Sequence, residues 1–81
     1  MSKTIHVHYY AILREQRGLK EEDVETSANT AIQFYSELQK KYTLRLPTSI
    51  IKVAINEEFC GWNTEIKSGD TVVFIPPVAG G

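Results

Sequence analysis

From Thr4 to Tyr10 apolar and polar residues alternate, with Ile5, Val7 and Tyr9 on one side and His6, His8 and Tyr10 on the other. A period of two predicts a half-buried strand. Ala11 to Arg17 holds good helix formers and is followed by Gly18, which predicts a short helical turn capped by that glycine. Leu19 to Thr26 carries Lys20, Glu21, Glu22, Asp23 and Glu25 around one main apolar anchor, Val24. This reads as an edge strand whose solvated charges discourage stray pairing. Thr30-Ala-Ile-Gln33 matches a capping box, so a helix is expected from Ala31. Ala31, Phe34 or Tyr35, Leu38 and Tyr42 recur at helical spacing and form its core-facing stripe. Lys40 and Lys41 suit the negative end of the helix dipole, and Pro47 bars continuation past Leu46. Ile50 to Ile55 is the next strand, Asn56-Glu57-Glu58 a turn, and Phe59 to Trp62 a short returning strand. Ser68-Gly69-Asp70 is a tight turn into a last strand, Thr71 to Ile75. Strands around a single long helix in so short a chain indicate an α+β fold, a sheet with one main helix packed across it.

The last strand breaks the half-buried pattern. Val72 and Phe74 are apolar, but so are Val73 and Ile75 on the opposite face. Alternation groups Val72 with Phe74 and Val73 with Ile75, and the helix can cover only one of these pairs. The other pair then forms an exposed apolar stripe of the kind that meets a partner. Pro76 and Pro77 follow at once; they lack an N–H, fix φ and stop regular pairing. The expected division is a domain over residues 1–75 and a flexible, extended tail over 76–81. That tail reaches about 15 Å. Gly80 and Gly81 carry no Cβ and admit close approach by another backbone or a nucleotide.

The 81 residues are 42% hydrophobic and 23% charged, consistent with one globular domain. A net charge of -1 gives no electrostatic case for nucleic acid or an acidic membrane as partner. No apolar run approaches transmembrane length, and Met-Ser-Lys-Thr lacks a signal-peptide core, so a cytoplasmic protein is expected. The single cysteine, Cys60, excludes an internal disulfide and fits a reducing compartment. It reads as a small, half-buried core residue. His6 and His8 share a strand face, but no third metal ligand lies nearby in sequence, so no metal site is assigned. Arg14 and Glu15 read as a surface ion pair and the acidic run from Glu21 to Glu25 as a solvated edge. No phosphate loop, paired catalytic acids or Ser/His/Asp set is present. The group left over is the carboxylate on Gly81.

Three segments in order carry a resemblance. They are Tyr10-Ala-Ile-Leu-Arg-Glu-Gln-Arg-Gly18, Val53-Ala-Ile-Asn56 followed by Ser68-Gly-Asp-Thr-Val72, and Phe74-Ile-Pro-Pro-Val-Ala-Gly-Gly81. Over nearly the whole chain it resembles the small, sulfur-carrying subunits of molybdopterin synthases, a family of ubiquitin-like β-grasp proteins. The resemblance implies that Gly81 is adenylated by a separate, ATP-using activating enzyme and converted to a thiocarboxylate by way of a sulfur donor protein. It implies further that the tail enters the large synthase subunit and gives its sulfur to cyclic pyranopterin monophosphate, forming the molybdopterin dithiolene. Gly80 is then the clearance residue, and Pro76, Pro77 and Val78 set the tail's access. The β-grasp resemblance also chooses the face of the last strand: it implies Val72 and Phe74 in the core with Val53, Ile55 and Leu38, and Val73 and Ile75, with Ala54 beside them, on the apolar stripe that docks the large subunit. The chain itself is implied to be a carrier subunit of a sulfurtransferase complex, with no bound cofactor. The stretch Glu57-Glu-Phe-Cys-Gly-Trp62 matches no part of that pattern. The alternatives are a thiazole-synthesis sulfur carrier, which commonly lacks the Pro-Pro pair, a protein modifier joined to lysines, or a β-grasp interaction domain with an inert tail.

Overall fold

The computed structural model describes residues 2–77. Five strands, two α-helices and one 3₁₀ turn follow in the order β1 (Lys3–Tyr9), α1 (Ala11–Arg17), β2 (Glu21–Thr26), α2 (Ala31–Tyr42), a 3₁₀ turn (Thr48–Ile50), β3 (Lys52–Ile55), β4 (Glu58–Cys60) and β5 (Thr71–Ile75). The sheet order is β2-β1-β5-β3-β4. β1 and β5 are parallel at the centre and the other pairings are antiparallel. A mixed sheet of this order with one main helix across it is the β-grasp arrangement anticipated from the sequence.

The alternation in β1 and β5 decides which face is buried. Ile5, Val7 and Tyr9 join Val72 and Phe74 beneath α2, with Val53, Leu38, Phe34 and Tyr35, all essentially inaccessible to solvent. Ile55 is half-buried and packs against the rim of this core. Phe74 is its hub. Its ring stacks on Trp62 at 5.8 Å and 9°, meets Tyr35 edge-on at 5.0 Å and lies 6.1 Å from Phe34. Offset and edge-on pairs of this kind add roughly 0.5–1.5 kcal/mol each beyond the area they bury.

Helix α2 begins as the capping motif predicts, with a variation. The Gln33 amide donates to Thr30 Oγ1 at 3.4 Å, while Gln33 Oε1 accepts from the Asn29 amide at 2.8 Å, one residue before the cap itself. Two further donors of the first turn, Ala31 N–H and Ile32 N–H, reach Thr64 O at 3.0 Å and Trp62 O at 2.9 Å. The segment that lays Trp62 on Phe74 therefore also satisfies a helix terminus. Gly18 caps α1 in the left-handed region at φ 85°, its N–H donating to Arg14 O at 2.8 Å. The left-handed residue that ends α2 is Thr43, at φ 58°.

Three local expectations are corrected. Ile50 lies in the 3₁₀ turn and not in a strand, because the amides of Ile50 and Ile51 turn back to Pro47 O and Thr48 O. The returning strand β4 is Glu58–Cys60, starting one residue and ending two residues earlier than expected, and Trp62 leaves the sheet to pack on Phe74. Glu22 is not a solvated edge charge. It accepts from Tyr9 Oη at 2.8 Å and takes a bidentate pair of bonds from Arg17, at 2.7 and 2.8 Å. The Arg17 guanidinium in turn lies 3.7 Å over the Tyr42 ring, so β1, α1, β2 and α2 meet at one ionic knot. Arg17–Glu22 is thus an ion pair that the Arg14–Glu15 expectation did not anticipate.

Burial alone would push the Glu22 carboxyl up, but the Arg17 and Tyr9 hydrogen bonds outweigh it and hold the group below its ordinary 4.5. A depressed pKa in the folded state contributes stability above the ordinary value, and that contribution is lost as pH falls through the lower, folded value. Glu22→Gln should therefore destabilise the fold by about 1.5–3 kcal/mol at neutral pH in urea unfolding, the scale of hydrogen bonds to a charged group. The gap to the parent protein should shrink on acidification. Thr43→Gly should raise stability by roughly 1 kcal/mol, since a β-branched residue is strained in the left-handed region and the capping N–H is retained.

Candidate functional site

The side of the sheet away from α2 is open, and its character changes across the strands. Val73 and Ile75 on β5 are half-buried there, beside Ala54 on β3. These are the residues the sequence marked as an apolar stripe, and the structure brings all three together. They line a shallow depression of ≈ 390 Å³ with Tyr10, Glu57 and Phe59. A second depression, of ≈ 370 Å³, is lined by Ile50, Lys52, Phe59, Ile75, Pro76 and Pro77. Phe59 and Ile75 border both, so the apolar surface continues from mid-sheet to the Pro-Pro pair.

Phe59 was missed by the sequence reading although it is 69% exposed, the most exposed large apolar side chain among the described residues. The missed signal was the hairpin. Asn56 and Glu57 both take positive φ, 52° and 72°, which makes a two-residue turn between β3 and β4. That turn pairs Ile55 with Glu58 and Ala54 with Phe59, placing Phe59 on the open face. The turn is locked from below: Asn56 Oδ1 accepts from Thr71 N–H at 2.9 Å, and Asn56 Nδ2 donates to Asp70 Oδ1 at 3.0 Å. Asp70 Oδ2 also accepts from Lys67 N–H at 2.8 Å. Asn56 and Asp70, which lie in the two halves of one resembling segment, are joined side chain to side chain at the base of β5.

Pro76 is buried and Pro77 exposed. Val78, Gly80 and Gly81 lie outside the described residues. Cys60 is half-buried on β4, its Sγ 3.8 Å from Val53 O, against the core and not on the open face. It is separated from the apolar stripe by the thickness of the sheet.

Toward β2 the open face becomes polar. The β1–β2 register sets Asp23 opposite His6 and Glu21 opposite His8. His6 Nδ1 lies 2.7 Å from Asp23 Oδ1 and its Nε2 lies 3.1 Å from Glu21 Oε1. The His8 ring meets that of His6 edge-on, with centroids 4.8 Å apart. The Asp23 hydrogen bond, reinforced by Glu21, raises the His6 pKa above 6.5 against a smaller opposing effect of burial. The third ligand-type group that the sequence neighbourhood lacked is thus supplied across the strand pair: His6, His8 and Glu21 offer ligand atoms within 4.8 Å of one another. Among the described residues no helix is long and apolar enough to cross a membrane.

This geometry, a central strand whose open face is apolar and which leads into Pro-Pro, can be set beside known proteins. The ThiS family profile matches residues 7–81. The chain belongs to the ThiS family. Two relatives bear the name molybdopterin synthase sulfur carrier subunit. The one from Mycobacterium tuberculosis is 34% identical over 80 residues, 95% of this chain and 96% of the relative. The one from Haemophilus influenzae is 30% identical over 80 residues, 95% of this chain and 99% of the relative. Among solved structures, a chain in the complex of subunits 1 and 2 of molybdopterin-converting factor from Helicobacter pylori superimposes with a TM-score of 0.63 at 28% identity, covering 100% of both chains. The family match begins within β1 and runs to Gly81.

Proposed function

We propose that this ThiS-family chain is the sulfur carrier subunit of a molybdopterin synthase, with the carboxyl of Gly81 as the sulfur-bearing group. The observation that carries the proposal is the continuous apolar open face, from Ala54, Val73, Ile75 and Phe59 to Pro76-Pro77, directly before Val-Ala-Gly-Gly81. A surface of this kind seats a partner while the residues after it reach into that partner. The names of the two bacterial relatives support the sulfur-carrier reading, and the Helicobacter pylori complex of two subunits supports a large-subunit partner.

The chemistry follows from what a carboxylate lacks. Its oxygens are poor leaving groups, so sulfur cannot displace them directly. In the proposed sequence an activating enzyme transfers AMP from ATP to the Gly81 carboxylate, releasing pyrophosphate. A persulfide on a donor protein then displaces AMP to form an acyl disulfide, and a second thiol attacks the donor's own sulfur, becoming disulfide-linked to it and leaving the outer sulfur on the Gly81 carbon. The resulting thiocarboxylate is itself a good sulfur nucleophile. Within the large subunit its sulfur attacks a side-chain carbon of cyclic pyranopterin monophosphate and displaces an oxygen there; hydrolysis of the resulting thioester returns the carboxylate and leaves one sulfur on the pterin, so two carriers in turn complete the dithiolene. ATP belongs to the activating enzyme, and the carrier holds no cofactor of its own. Gly80 and Gly81 give the clearance that both partners need around the reacting carbon.

Docking and transfer are separable by experiment. Ile75→Asp puts a charge into the apolar face and should cost about 2–5 kcal/mol of affinity for the large subunit if the site is desolvated in the complex. The fold should survive, because Ile75 points away from the core. Deleting Gly81 should leave docking intact and abolish molybdopterin formation, since the reactive carbon then falls roughly 3.3–3.6 Å short. Even a 1 Å misplacement costs about a hundredfold in rate. Cys60→Ser should leave transfer unchanged. Unaltered binding of Ile75→Asp would contradict the docking face. Full activity without Gly81, or loss of transfer in a folded Cys60→Ser protein, would contradict the carrier chemistry.

A further inference from the structure

The polar half of the open face is not used by the carrier chemistry, and its arrangement is specific. We propose that His6, His8 and Glu21 form a binding site for a divalent cation of the zinc class, with Asp23 as the carboxylate that orients His6. Residues two apart on a strand project to the same side, so β1 delivers both imidazoles to one face. The antiparallel register brings Glu21 opposite His8 and Asp23 opposite His6. Both short contacts made by His6 are with β2 carboxylates: Nδ1 to Asp23 at 2.7 Å and Nε2 to Glu21 at 3.1 Å.

A metal-binding histidine needs one nitrogen free for the cation and the other held by an acceptor, most often a carboxylate or carbonyl. Asp23 fills the second role at Nδ1 and leaves Nε2 beside Glu21. In a tetrahedral zinc site with bonds of about 2.0–2.2 Å, neighbouring ligand atoms sit roughly 3.3–3.5 Å apart. The His6–Glu21 separation of 3.1 Å is already close to such an edge. His8 supplies the third atom, within 4.8 Å of the other two, and its half-exposed side chain has room to close that distance. A cation at Nε2 needs that nitrogen unprotonated and its contact with Glu21 opened. Any proton held there goes to solvent as the cation binds.

The donor set selects the metal class. Two imidazoles and one carboxylate suit zinc and its borderline neighbours, whereas calcium and magnesium favour all-oxygen sites. Three protein ligands leave a position for water or for a group from a docked partner. Cys60 cannot complete the set, because β4 and β2 are opposite edges of the sheet.

The test is zinc titration of the purified full-length chain against a chromophoric chelator, with the imidazole ¹H–¹⁵N spectrum followed in parallel. One equivalent of Zn²⁺ should bind, moving the His6 and His8 resonances together. His6→Gln and His8→Gln should each abolish binding. Asp23→Asn should weaken it by about 10–100-fold, as expected for an orienting carboxylate. Cys60→Ser should leave it unchanged. These side chains lie outside the core, and amide spectra would verify that each variant is folded. Were a variant to unfold, the parent spectrum still decides. Unmoved His6 and His8 resonances at saturating zinc would overturn the site, as would binding that survives His8→Gln or is lost in Cys60→Ser.

Discussion

The burial of Phe74 is the constraint on which the rest depends. Strand β5 is apolar on both faces, so hydrophobicity alone does not say which face goes inward. Phe74 decides it by fitting among Trp62, Tyr35 and Phe34 beneath α2. Because side chains alternate along a strand, sealing Phe74 and Val72 in the core leaves Val73 and Ile75 on the open face. A one-residue slip would exchange the pairs and leave a phenylalanine exposed. The same packing holds the segment around Trp62 that caps α2, so sheet, helix and loop share one anchor.

That anchor lies immediately before the segment to which function is ascribed. Three residues separate Phe74 from Val78, and Pro76, the second of them, is itself buried. The base of β5 is fixed as firmly, through the bonds of Asn56 with Thr71 and Asp70. Under the proposed function the tail has to place one carbon atom inside other proteins, and a rigid origin helps because each loosely held residue adds positional spread that has to be lost on binding. The open face then divides the labour. Its apolar half continues toward the tail, while its polar half, at β1 and β2, presents histidines and carboxylates in a defined register.

Much of this was legible in the chain. The alternation from Thr4 to Tyr10, the Gly18 stop and the Thr30–Gln33 cap each express a local rule that the packing leaves undisturbed. That the last strand would leave one apolar stripe uncovered was legible because both its faces were apolar and a single helix was available to cover them; that the stripe is Val73 and Ile75 with Ala54 came from the β-grasp resemblance. What escaped were features created by register. Phe59 sits in a strand of three residues, too short to show a period, and its face is set by the two-residue turn at Asn56-Glu57. Glu22 looked like one charge in an acidic run; its inward orientation follows from alternation with Glu21 and Asp23, and its partners Tyr9 and Arg17 come from other elements. The neighbours of His6 are 15 and 17 residues away in sequence and appear only when β1 and β2 are paired.

The central claim is that Gly81 carries sulfur, and the intact mass of the protein isolated from cells containing the activating machinery tests it most directly. The account predicts a species heavier by the difference between one sulfur and one oxygen, assigned by fragmentation to Gly81 and lost when the activating enzyme is removed. Recovery of only the unmodified mass from cells with active machinery, or of Gly81 joined to lysines of other proteins with no thiocarboxylate, would contradict it.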